Sequence, residues 1–137
     1  MNRDDFQRLS DVRLQEARAL LSARLPEGAY YLAGSAVECA LKACIAKRTR
    51  IHDFPEKGSH RYYSHNLDEL VGFANLRAEL EDTIQKDATF KDQWTLVKNW
   101  SEESRYDQGR TAQEASNLVE AIENPKGGIL TWLRRLW

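Results

Sequence analysis

The stretch "AYYLAGSAVECALKACIAKR", Ala29 to Arg48, decides the fold. Alanine, leucine and long side chains dominate it, and Pro26 stands just upstream, where a proline suits the first turn. The residues from Pro26 to about Thr49 therefore predict a long helix. Most of its sides are apolar or small, which predicts a central position. One polar line crosses it. Tyr31, Ser35, Glu38 and Lys42 are spaced four, three and four apart, so a rotation of about 100° per residue places them on one stripe. Ala33, Ala36 and Ala40 run on neighbouring tracks, with Gly34 between them, and such small side chains let another helix approach closely. Glu38 and Lys42 stand in the favoured order for an i,i+4 pair, a contact that contributes about 0.3–0.5 kcal/mol on an exposed face. Spacing alone leaves two readings of the line open: a solvated stripe, or a polar seam facing a second subunit. Cys39 and Cys44 fall about 140° apart around the helix, which suits neither a disulfide nor a metal pair and predicts two small core residues.

Outward from this helix, the pattern stays helical. Phe6, Leu9, Leu14, Ala17, Leu20, Leu21 and Leu25 mark an amphipathic helix from Asp4 to Leu25. "DFPEKGSHRYYS", 53–64, reads as a loop, because Pro55, Gly58 and the serines break the period. Asn66 followed by Glu69 has the form of a capping box and starts a short helix, "NLDELVGFA". Two more helices are expected at Leu76–Gln85 and Phe90–Trp100, the latter with Phe90, Trp94, Val97 and Trp100 on one face. "SEESRYDQGR" interrupts the pattern. Thr111 and Glu114 form a second capping box before "AQEASNLVEAIE", and Pro125, Gly127 and Gly128 separate that helix from "ILTWLRRLW". No segment alternates with the period of a strand. The expected fold is all-α, a bundle of about five to seven helices in a single domain over 1–137.

Composition narrows the function classes. The chain has 137 residues, 42% hydrophobic and 30% charged, with three prolines and seven glycines, a balance that favours a helical globular protein over a disordered one. No long uncharged apolar run and no secretion-type start is present, so no membrane association is expected and the location is read as cytoplasmic. A net charge of −1 gives no overall pull towards nucleic acid. The charge is unevenly spread: from Lys42 to Arg61 six basic residues face two acidic ones, and from Asp68 to Asp92 seven acidic face three basic.

The order of "YYLAGSAVECALKACI", "HNLDELV", "SRY", "TAQEASNLVEAIE" and "ILTWL" resembles the HEPN family over nearly the whole chain. Its most specific pieces are Glu38, Leu41 and Lys42 as E-x-x-L-K, the entry at His65, and the pair Arg105 and Tyr106. The resemblance implies an up-and-down helical bundle that forms a homodimer, often with a cleft along the interface. It also implies membership of a group that includes metal-independent ribonucleases, toxins encoded beside small nucleotidyltransferases in toxin–antitoxin or defence settings, and domains that bind nucleotides without cleaving them. Ribonuclease members carry an R-x4-6-H motif. There the arginine stabilises charge on the scissile phosphate, and the histidine moves a proton near neutral pH.

This chain departs from that motif. Counting from Arg105, the histidine positions hold Arg110, Thr111 and Ala112, and none of the other arginine–histidine spacings fits. His65, just before the Asn66 cap, reads as a structural residue of the helix entry, with a catalytic role as its alternative. His60, His65 and Asp53 have no diagnostic metal spacing, so no metal and no cofactor is expected. Arg105 invites either a plain salt bridge to Glu102 or Glu38, or a place beside Glu38 and Lys42 in a pocket for a phosphate or base, with Tyr106 stacking. The expected function is a dimeric binding module that recognises a nucleotide, RNA or a partner nucleotidyltransferase through Glu38, Lys42, Arg105 and Tyr106. An atypical ribonuclease using Arg105 with His65 is the alternative, and a purely structural dimerisation domain is the third reading.

Overall fold

The computed structural model describes residues 1–48 and 63–137. Among them are seven α-helices and no strand: α1 (Arg3–Ser22), α2 (Pro26–Lys47), α3 (Leu67–Phe73), α4 (Arg77–Lys86), α5 (Ala88–Lys98), α6 (Ala112–Glu123) and α7 (Ile129–Leu133), with a 3-10 helix at Glu102–Tyr106 between α5 and α6. None of these helices is long and apolar enough to cross a membrane.

α1 begins one residue earlier than the apolar pattern indicates, because Asn2 and Asp5 close a capping box: the Asn2 side chain accepts from the Asp5 amide at 2.9 Å, and Asp5 accepts from the Asn2 amide at 3.0 Å. Arg24 takes the left-handed conformation, with φ of 64°, and reverses the chain before Pro26. Leu25 therefore lies in the turn and is exposed, not on the buried face of α1 as its spacing suggested. The three-residue connection folds α1 back along α2, with Phe6 beside Cys39 and the Ser10 hydroxyl donating to the Ala36 carbonyl at 2.7 Å. Ala33, Ala36 and Ala40 are fully buried.

α2 is the central rod, touching α1, α3, the 3-10 helix, α6 and α7. One large apolar cluster joins residues from all seven helices, among them Leu14, Leu41, Ile45, Leu70, Leu80, Phe90, Leu118, Ile122 and Leu130. Both cysteines are buried and unpaired. Asp87 caps α5, its carboxylate accepting from the Phe90 amide, and the helix ends at Lys98. Trp100 thus lies beyond α5. Phe90, Trp94 and Val97 share that helix's buried face, whereas Trp100 is buried against α2 instead. Thr111 and Glu114 cap α6 reciprocally, as their spacing predicts. Trp132 meets Phe90 edge-on at 5.5 Å, and Trp137 is half-buried against the patch formed by Phe6, Cys39 and Ala43. The loop expected over 53–64, with Asp53 and His60, lies outside the described residues apart from its last two positions, and so does His52.

Candidate functional site: a row of basic and acidic side chains across the central helix

Glu38 stands at the middle of α2, its side chain mostly buried, and its Oε2 accepts from Lys42 Nζ at 3.0 Å. Lys42 is 7% exposed, so its ammonium is committed to Glu38 and its stem to the core. Across from Glu38 stands His65, whose Nδ1 is 3.1 Å from both Glu38 carboxylate oxygens. The other ring nitrogen, Nε2, is 3.3 Å from Glu102 Oε2. The second oxygen of Glu102 is 3.6 Å from Arg105 Nη1, and the Arg105 guanidinium lies 4.8 Å from the centre of the Tyr106 ring. Lys42, Glu38, His65, Glu102 and Arg105 therefore form one row in which basic and acidic side chains alternate, with His65 as the bridge.

Two local structures hold the row in place. On the His65 side, the Asn66 side chain accepts from the Glu69 amide at 3.0 Å and so starts α3. The return bond expected from Glu69 is not made: Ser64 Oγ accepts from the Asn66 amide at 3.0 Å, and its hydroxyl donates to Glu69 at 2.7 Å. Serine two residues upstream satisfies the amide that the capping box would have covered. On the Glu102 side, Ser101 Oγ accepts from the Glu103 amide and starts the 3-10 helix. Just before it, the Trp100 indole lies flat on Gly34, where any Cβ would fall inside the ring, and stacks on Tyr31 with centroids 6.1 Å apart. The polar line of α2 is thus a seat: Tyr31 holds Trp100, and Glu38 holds His65.

His65, Asn66, Trp100, Ser101, Glu102 and Glu103 line a hollow of about 220 Å³. Glu38 and Lys42 lie beneath His65 and do not line it. Arg105 and Tyr106 stand outside it on the solvent side, and Tyr106 is 70% exposed. Tyr106, followed by Glu102, keeps the Arg105 guanidinium above its ordinary value, so its charge is permanent. Glu102, Trp100 and Ser101 were not identifiable as site residues from spacing, although Glu102 is one of the two carboxylates that sequence offers to Arg105.

Arg110 occupies the first position at which the ribonuclease motif would require histidine. It is a brace. Its guanidinium bonds to Asp107 at 2.6 Å and to Glu114 at 2.9 Å and lies 3.8 Å from the centre of the buried Tyr30 ring. Burial lowers its pKa, but the bonds to Asp107 and Glu114 raise it more, and an arginine so held moves no proton. Burial also pushes the Tyr30 hydroxyl up.

Chemically, the row offers an imidazole whose orientation Glu38 sets through Nδ1, a permanent cation at Arg105, and an exposed aromatic face at Tyr106. Such a set can hold a phosphate beside a stacked base. A family model described as "HEPN domain" matches residues 6–135. The chain matches no curated protein and no solved structure.

Proposed function

The chain belongs to the HEPN domain family, and we propose that within it this protein is a binding module for a nucleotide, either free or as an unpaired residue of RNA. The carrying observation is the division of labour along the row. Lys42 and Glu38 are spent on each other and on His65, while Arg105 and Tyr106 are exposed side by side, a cation and a ring at stacking distance. Arg105 takes the phosphate, Tyr106 takes the base, and Glu38 with Lys42 supports them through His65. HEPN domains commonly dimerise, and the module is proposed to act as a homodimer, which light scattering would report as twice the chain mass of 15.8 kDa.

Binding of adenosine monophosphate and of a short single-stranded RNA, followed by NMR of the Tyr106 ring, tests this reading. Arg105→Ala is expected to weaken both ligands, and Tyr106→Ala to weaken them by about 1–3 kcal/mol, the usual worth of one stacked base. Unchanged affinity in both variants removes the reading. Preference for the oligonucleotide over the mononucleotide identifies RNA as the source of the phosphate.

A second reading draws on one specific contact: His65 and Arg105 share Glu102, so a proton-transfer group and an arginine converge on one carboxylate. This is the arrangement an atypical metal-independent ribonuclease would use. Cleavage of RNA in the presence of a chelator, lost in His65→Ala, supports it, and intact RNA across a broad pH range removes it.

A further inference from the structure

Glu102 divides its two oxygens between the two groups best suited to an anion. Oε2 lies 3.3 Å from His65 Nε2, and Oε1 lies 3.6 Å from Arg105 Nη1. A carboxylate bridging a histidine and an arginine in this way occupies the position that two oxygens of a phosphate would take. We propose that Glu102 is an internal stand-in for the ligand, and that a phosphate ester binds between His65 and Arg105 by displacing it. The inference rests on the binding reading above and adds the subsite, the ligand group and its competitor.

Three observations carry it. First, Glu102 is replaceable in a way Glu38 is not. Its side chain is 31% exposed, against 12% for Glu38, and its partners are His65 at 46% and Arg105 at 47%, whereas Glu38 is tied to Lys42 at 9%. Contacts at the solvent edge are weak and exchange easily, and buried pairs are not. Second, there is room. The hollow of about 220 Å³ is lined by Glu102 and by His65 itself, so the carboxylate can swing aside without moving the backbone, which Ser101 and Trp100 hold. Third, the two groups left at the vacated place are oriented for an anion. Arg105 loses its carboxylate partner when Glu102 swings aside, and Glu38 keeps the ring aimed through its Nδ1 contact, so that the imidazolium form directs its Nε2–H at that place. Glu103 also lines the hollow and opposes an anion there, but has no contact with His65 or Arg105 among the described ion pairs.

The test compares affinity for adenosine monophosphate, with inorganic phosphate as a second probe, in the wild type, Glu102→Gln and Glu103→Gln. Removing a competing charge of this exposure is expected to tighten binding by roughly two- to fivefold in Glu102→Gln, and clearly less in Glu103→Gln. Equal tightening in the two variants reduces the effect to general electrostatics and overturns the inference, as does no tightening at all in Glu102→Gln. Wild-type binding that depends on Arg105 but is indifferent to Glu102 overturns the subsite while leaving the binding module standing; no binding in any form removes both. If Glu102→Gln does not fold, the wild type still decides. The Glu102 side-chain carboxyl carbon signal must shift when adenosine monophosphate saturates the protein, and an unmoved signal means that the carboxylate stays on His65.

Discussion

A glycine in the middle of a helix ordinarily costs about 1 kcal/mol relative to alanine, so helix propensity alone makes Gly34→Ala a stabilising change. The contact with Trp100 reverses the sign. The new methyl would fall within an indole that is 4% exposed, and overpacking of this kind costs about 1–3 kcal/mol. Gly34→Ala is therefore expected to lose about 1 kcal/mol net in urea denaturation, and a variant more stable than the wild type contradicts the packing described. The cysteines supply a second residue-scale test. Burial pushes the Cys39 and Cys44 thiols up to about 12, which leaves almost no thiolate in the native protein. Iodoacetamide at about pH 8 should modify neither until the chain unfolds, so the labelling rate should follow global unfolding. Fast labelling of either thiol in the folded protein would show that α2 is not covered as described.

At the scale of an element, the ends of α1 and α6 make stability depend on acid. Asn2 lowers the Asp5 carboxyl below its ordinary 3.8 by donating its backbone amide, and Thr111 lowers Glu114 below its ordinary 4.5 in the same way, with the Thr111 hydroxyl and Arg110 adding to it. A carboxyl depressed in the folded state adds stability above its unfolded value and loses it as pH falls through the folded one. Unfolding free energy should thus begin to fall below about pH 4.5, and Glu114→Gln should flatten that fall relative to the wild type. An identical pH profile in the variant would show that the α6 cap contributes nothing. The same element arithmetic explains α3: Asn66 and Ser64 together give a seven-residue helix its start, and that start sets the backbone from which His65 projects.

For the whole molecule, the arrangement depends on α2 being covered on every side. α1, α6 and α7 supply apolar faces, and the last residues close the remaining gap: Trp137 packs on Phe6, Cys39 and Ala43, Arg134 bonds to Asp11 at 2.7 Å, and Lys47 donates to the Leu136 carbonyl at 3.3 Å. An exposed Trp137 would have marked a surface for assembly, but here it is spent on its own bundle. Trp137→Ala should lower stability by about 2 kcal/mol in thermal denaturation, below the loss for a fully buried tryptophan because the ring is only half-buried. It should leave the oligomeric state by light scattering unchanged. A change in oligomeric state would instead place Trp137 at an interface between copies.

Periodicity and capping are local properties, and so the helices are legible in the sequence. Pro26 starts α2, Thr111 and Glu114 start α6, and the apolar spacing of Phe90, Trp94 and Val97 reports the buried face of α5, because each signal acts within one or two turns. The same applies to Glu38 and Lys42, whose pairing needs only i,i+4 geometry. What pairs with what across the bundle is not local. That His65 bridges Glu38 to Glu102, that Trp100 leaves its helix to lie on Gly34, and that Arg110 is a brace against Tyr30 all follow from how the chain segments before α3 and between α5 and α6 land on α2. Sequence determined the rods and the polar line on the central one; only the tertiary structure decided what sits on that line, because contacts between distant segments are set by packing and not by spacing.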